Sequence, residues 1–327
     1  MPLFDLPLDQ LRDHRPDVPE PAGFDAFWKS TMDDARSREP LLSLDPVDTG
    51  LTLLRTWDVA FTGFGGHPIR AWYSRPHGDE PLPAVVEYLG YGRGRGLPQE
   101  RLLWPCAGYA HLLVDTRGQG GQHGSGGDTP DPVGSGPSTP GFLTRGVEDP
   151  ETAYLRRALT DAARAVDAAA VLPGVDPARI AVVGNSQGGG FAIAAAGLSG
   201  GASALLASAP LLCHIARNVL ITDAHPYGEI VQYLSVRRHL AERALDTLSH
   251  FDAVHFARRT TVPALFATGL RDTICPPSGV FAAFNALAGD DTEIAVYPFN
   301  HHEHGEAVHA ERQVRWLGER FRPAPAR

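Results

Sequence analysis

From about residue 55 onward, short apolar runs alternate with longer stretches whose apolar residues recur at helical spacing. The runs of strand length lie at 56–61, 69–74, 84–88, 111–115, 179–184, 204–209, 264–269 and 293–297. The later runs are continuously apolar, as expected for strands buried on both faces of a parallel sheet. Between them, 152–172, 189–198, 278–287 and 307–321 have helical character, and the first stops at Pro173-Gly174. Such alternation predicts a doubly wound, mostly parallel α/β sheet with helices on both faces, opened by an antiparallel hairpin near 56–74.

Three stretches fall outside that rhythm. Residues 1–54 are rich in proline and acids, with one helical patch. There Phe24, Phe27, Trp28, Thr31 and Met32 share a face. We read this stretch as an N-terminal arm and helix packing on a larger body. Residues 117–147 are dense in Gly, Pro, Ser and Asp without periodicity, longer than a plain connector should be. Residues 211–258 are helical, with Tyr227, Ile230, Val231 and Leu234 on one face, and read as a small insertion between two core strands. The expected organisation is therefore an arm, one α/β domain over 55–322 with that insertion, and a short tail at 323–327.

Composition narrows the function. The chain has 327 residues and a net charge of −9, which argues against nucleic-acid binding, since phosphate binders concentrate basic side chains. A chain of this size can bury a core without disulfide or metal staples. The three cysteines, Cys106, Cys213 and Cys275, cannot pair completely and match no zinc spacing, which points to a reducing compartment. The first residues lack the basic and apolar regions of a leader. The most apolar stretch, 204–213, is too short to span a bilayer, which needs ~20 residues. The expectation is a cytoplasmic protein without membrane, metal or cofactor.

The strongest chemical signal is Gly184-Asn185-Ser186-Gln187-Gly188, between an apolar strand and an apolar helix. In that setting Gly-x-Ser-x-Gly is a nucleophile elbow, a tight turn that lifts a serine above the sheet edge. The following helix N-terminus offers N–H groups to a developing oxyanion. A dinucleotide fingerprint fails here because Ser186 stands where its second glycine belongs. The glycine-rich segment 90–96 lacks the lysine and hydroxyl residue of a phosphate-binding loop.

A serine nucleophile needs an orienting acid and a base, which on such a sheet follow it in that order. Asp272 lies in the loop after the 264–269 strand, with Pro276-Pro277 stiffening the exit; Asp290 and Asp291 precede a strand and fit less well. After the last strand come His301, His302 and His304, three candidate bases. A zinc site on these histidines lacks a helical pair and a second ligand cluster. The oxyanion donors should be the N–H of Gln187 and one from the loop after the 84–88 strand, for which Tyr91 fits.

Together these segments resemble carbohydrate esterase family seven, the acetyl xylan esterase and cephalosporin C deacetylase group of the α/β-hydrolases, over about residues 20–320. Arg117-Gly118-Gln119, Gly184-Asn-Ser186-Gln187-Gly188 and His302-Glu303 are similar to its three ordered motifs. Segments 210–214, 226–230 and 270–278 are similar to further family segments. The resemblance selects His302 as the base beside Ser186 and Asp272. It gives Arg117, Gln119 and Glu303 supporting roles. It further implies short acyl groups, mainly acetate, on small carbohydrate or antibiotic esters, and a hexamer. Three residues depart from the family pattern: Leu89 for histidine, Asn185 for glycine and His304 for glycine. Leu89 and His304 are expected to border the pocket. A prolyl-oligopeptidase-like peptidase would need a propeller that this length cannot hold, and a non-catalytic scaffold would not need three triad residues.

Overall fold

The computed structural model describes residues 3–134, 136 and 140–321. The tail at 323–327 and part of the 117–147 segment lie outside these. Nine strands form one sheet: β1 (Leu41–Val47), β2 (Leu54–Thr62), β3 (Pro68–Pro76), β4 (Leu82–Tyr88), β5 (Ala110–Val114), β6 (Val175–Asn185), β7 (Ala204–Ser208), β8 (Ala264–Gly269) and β9 (Thr292–Tyr297). Their spatial order is β1-β2-β3-β5-β4-β6-β7-β8-β9. The first three strands pair antiparallel, β3 meets β5 antiparallel, and all pairs from β5 to β9 are parallel.

Eight of these strands coincide with the apolar runs read from sequence. The ninth, β1, was not anticipated. It contains Asp45 and Pro46 and has no clean burial alternation. It tolerates proline because it lies at the sheet edge, where one side of the strand needs no ladder donor.

The helices are α1 (Leu8–Arg12), α2 (Phe24–Arg36), α3 (Leu103–Cys106), α4 (Tyr154–Ala169), α5 (Gln187–Ser199), α6 (Ile215–Ile221), α7 (Tyr227–Val236), α8 (Ala241–Ser249), α9 (Ala253–Ala257), α10 (Pro277–Phe284) and α11 (Glu306–Phe321). Successive residues of the central strands feed opposite faces. Val86, Val182, Leu205 and Phe266 join the core under α4, α5 and α9, whereas Val85, Val183, Leu206 and Leu265 meet Trp104, Trp316, Leu317 and Phe321 on the other side. Strands β5, β7 and β8 are buried at every position, which explains their mostly apolar sequences.

Helix α2 buries Phe24, Trp28 and Met32. Trp28 and Phe24 pack on Phe256 with ring centroids 5.3 and 5.5 Å apart, and the Trp28 indole donates to the His250 carbonyl at 3.0 Å. The arm is thereby fastened to the helices between β7 and β8. Among the described residues no helix is long and apolar enough to cross a membrane.

Two fully buried histidines impose a pH dependence on this fold. Burial, with Arg258 nearby, pushes His255 down from 6.5 to about 4; burial, with His304 nearby, pushes His309 to about 3. Both stay neutral in the fold while the unfolded chain takes up protons first. Their contribution to stability is therefore full above pH 6.5 and is lost as pH falls toward these depressed values. Each histidine contributes a slope of up to about 1.4 kcal/mol per pH unit in that window. Urea denaturation from pH 7 to 5 should show declining stability; a flat profile would contradict this.

Candidate active site

The sequence around Ser186 folds as an elbow because nothing larger than hydrogen fits on either side. A Cβ on Gly184 would lie 2.0 Å from the Gly188 carbonyl oxygen, and one on Gly188 would lie 2.2 Å from that of Tyr88. Ser186 itself sits at φ 58°, ψ −122°, a left-handed conformation that costs on the order of 1–3 kcal/mol for a non-glycine residue. The turn is held by the Ser186 N–H donating to Ser208 O at 2.9 Å. The Ser186 carbonyl accepts from the N–H groups of Gly190 and Leu211 at 3.1 and 2.9 Å.

Asp272, wholly buried after β8, presents two faces. Its Oδ1 accepts from the N–H groups of Ile274 and Cys275 at 2.8 and 2.9 Å, and its Oδ2 lies 2.8 Å from His302 Nδ1. The three histidines after β9 separate in space. His301 Nδ1 lies 2.9 Å from the Arg271 carbonyl, His302 meets Asp272, and His304 is buried at φ 41° with its ring against His309. Among the described residues no group of three metal-ligating side chains converges. Asp291 pairs with Arg320 at 2.6 Å, away from these histidines. Glu303 binds the His301 N–H at 3.0 Å and the Asn300 amide at 3.0 Å; its own backbone and that of His301 hold its carboxyl below the usual range.

These loops meet at the carboxyl ends of β4, β6, β8 and β9. On one side of β4 the chain continues to β5 and on the other lies β6, the kind of switch point where open α/β sheets form crevices. A cavity of about 460 Å³ opens there, lined by Tyr91, Ser186, Glu229, Ile274 and His302 among others. Among the described residues, the backbone N–H groups of Tyr91 and Gln187 donate to no protein acceptor. Unspent N–H groups beside a serine can receive a developing oxyanion.

Neither Leu89 nor His304 borders that cavity, contrary to expectation. Leu89 is 3% exposed, turned inward with its carbonyl accepting from the Gln187 amide at 3.4 Å. His304 lines a neighbouring space of about 280 Å³, which shares Asn185 with the first.

Arg117 is not a surface residue. Its side chain is completely buried, with Nη2 donating to Asp161 at 2.7 Å and Nη1 to Asp131 at 3.3 Å. Arg157 joins through Asp131 at 2.8 Å. Burial works against ionised Asp131, but Arg157 and Arg117 outweigh it and hold the carboxyl low. Gln119 accepts from the Gly92 N–H at 2.7 Å and donates to Tyr154 Oη at 3.0 Å and Gln187 Oε1 at 2.8 Å. The Arg117-Gly118-Gln119 segment thus braces the loop after β4 against the elbow.

Three contributors had no role in the sequence reading. Tyr154 donates to the Arg117 carbonyl at 2.7 Å. The Cys275 thiol, raised far up by burial and by Asp272, is a hydrogen-bond neighbour of Ser186. Glu229 holds the Tyr91 hydroxyl. The sequence signals were the position of Cys275, three residues after Asp272, and the family-like segment 226–230 that contains Glu229.

A sequence model of the acetyl xylan esterase family matches residues 1–320. The structure is similar to an acetyl xylan esterase from Paenibacillus sp. R4, with 37% identity, 97% of this chain and 100% of that chain covered, and a TM-score of 0.90. It is similar to acetyl xylan esterase 1 from Thermoanaerobacterium sp. JW/SL YS485, with 30% identity, 98% and 100% covered, and a TM-score of 0.89. The acetyl esterase Axe7A of Xylanibacter ruminicola is 26% identical over 295 residues, covering 88% of this chain. The chain spans 65% of the length of that relative. The fold is the α/β-hydrolase fold.

The elbow's close packing carries its own test. Gly188→Ala should lower the unfolding free energy by about 3 kcal/mol, because its methyl meets backbone and not a movable side chain. Wild-type stability on urea denaturation would contradict the packing account.

Proposed function

This chain belongs to the acetyl xylan esterase family, and on that premise we propose that it is a serine esterase removing acetyl groups from small acetylated carbohydrates such as xylo-oligosaccharides. The observation that carries the reading is the hydrogen bond from His302 Nδ1 to buried Asp272, with His302 facing the same cavity as Ser186.

In the proposed mechanism, His302 Nε2 accepts the Ser186 proton as Oγ attacks the acetyl carbonyl. Asp272 holds the imidazole with Nδ1 protonated and stabilises the imidazolium. Tyr91 and Gln187 N–H groups receive the oxyanion, each worth on the order of 3 kcal/mol. The imidazolium returns its proton to the departing sugar alkoxide, leaving an acetyl-serine. Water then attacks, His302 takes its proton, and acetate leaves as Ser186 is reprotonated. Arg117, Gln119 and Glu303 act by holding the loops that carry these groups.

The finer reading extends to cephalosporin C as an alternative acetyl ester, to a hexamer, and to the cytoplasm, where three unpaired cysteines would persist. Light scattering should give a hexamer mass, and a monomer would end that part of the proposal.

Acetate release from acetylated xylo-oligosaccharides should fall by a factor on the order of 10³ or more in Ser186→Ala, and comparably in Asp272→Asn. Unchanged release in Ser186→Ala would remove the nucleophile assignment. No release by the wild type, alongside hydrolysis of cephalosporin C, would overturn the carbohydrate substrate and keep the esterase.

A further inference from the structure

Glu229 stands on α7, outside the strand framework, yet its carboxyl reaches the loop that carries Tyr91. The side chain is 2% exposed and lines the Ser186 cavity. Its Oε1 accepts from the Tyr91 hydroxyl, and its Oε2 accepts from the N–H groups of Phe142 and Leu143 at 3.0 and 3.1 Å. The Tyr91 oxygen also accepts from the Phe142 N–H at 2.6 Å, and the two rings meet edge to face with centroids 5.5 Å apart. Gly141 completes the enclosure, since a Cβ there would lie 2.1 Å from the Glu229 carboxyl carbon. Burial, with Tyr91 and the two backbone donors opposing it, leaves the carboxyl above its ordinary range.

The loop from Leu89 to Gly92 is also held from outside by three other residues. Gln187 binds the Leu89 carbonyl at 3.4 Å, Gln119 binds the Gly92 N–H at 2.7 Å, and the Gln122 N–H donates to the Gly92 carbonyl at 3.3 Å. None of these hydrogen bonds is to residue 91. We infer that Glu229 is a positioning residue for the oxyanion site, fixing Tyr91 so that its backbone N–H faces the oxygen of the reacting acyl group. This rests on the esterase reading above, in which that N–H is an oxyanion donor.

A carboxylate suits the task because the Tyr91 hydroxyl and the N–H groups of Phe142 and Leu143 converge on it and it can only accept. An amide at this position turns an N–H₂ toward at least one of them. The Tyr91 side chain then loses its fixed partner and the loop its orientation. An oxyanion hydrogen bond weakens steeply with angle and distance, and its worth is realised mainly in the transition state. Loss of Glu229 should therefore lower kcat and leave KM almost unchanged. A residue that merely shaped the pocket would change KM.

The test uses p-nitrophenyl acetate with wild type, Ser186→Ala, Glu229→Gln, Tyr91→Phe and the double variant Glu229→Gln/Tyr91→Phe. Tyr91→Phe keeps the backbone N–H and removes only the hydroxyl that Glu229 holds. The expected result is a kcat loss of roughly 10- to 100-fold in each single variant, smaller than the loss of a whole donor. KM should stay within about threefold, and the double variant should be no slower than the slower single, because both changes break one link. Normal kcat in the single variants, losses that multiply in the double, or a change confined to KM would overturn the inference. If Glu229→Gln does not fold, Tyr91→Phe alone decides by the same kcat criterion. A wild type without ester hydrolysis would sink the esterase reading and this inference with it. Active wild type, inactive Ser186→Ala and unaffected Glu229 and Tyr91 variants would sink the inference alone.

Discussion

The close approach of backbone to backbone at the end of β6 governs the site. Ser186 occupies a left-handed conformation, and the flanking glycines touch carbonyl oxygens at distances no Cβ could share. That conformation persists because the surroundings over-determine it: an N–H bound to β7, a carbonyl bound twice, and a helix starting at the next residue. One consequence is geometric, since the same turn that lifts the serine leaves the Gln187 N–H at the helix start without a backbone acceptor among the described residues. Another is that the loop after β4 must press against the elbow, because Gly188 packs on Tyr88 and Leu89.

Polar side chains far apart in sequence then keep those loops in register. Gln119 binds both Gln187 and Tyr154, joining three separate segments. Behind them Arg117 is sealed between Asp161 and Asp131, with Arg157 sharing Asp131. Breaking one partner of so buried a set leaves an uncompensated charge, which costs more than the pair contributes when intact. The helices between β7 and β8 also take part, because α7 supplies Glu229 to the wall of the cavity. The segment legible in sequence only as an insertion is thus continuous with the loop beside Ser186.

Local patterns carried most of the fold. Eight strands were visible as short runs, of which β5, β7 and β8 are buried at every position, whereas β1 was hidden by Asp45 and Pro46 at the sheet edge. Ser186 and Asp272 were legible because Ser186 directly follows a strand and Asp272 lies in the short loop after one. The choice among His301, His302 and His304 was not local. It depends on which imidazole the loop turns toward Asp272, 30 residues upstream of His302, and only the family resemblance singled one out. The interior position of Arg117 was equally hidden, because its partner Asp161 is 44 residues away. Glu229 and Tyr91 are 138 residues apart, and no periodicity joins such a pair.

The central claim is that Ser186 is a nucleophile activated by His302. Intact-mass and peptide analysis after treatment with a fluorophosphonate probe tests it directly, because the probe bonds only to an activated hydroxyl. The account predicts one adduct, on Ser186, formed rapidly in the wild type and slowed by orders of magnitude in His302→Ala. Modification at another residue, or equally fast labelling of Ser186 without His302, would contradict it.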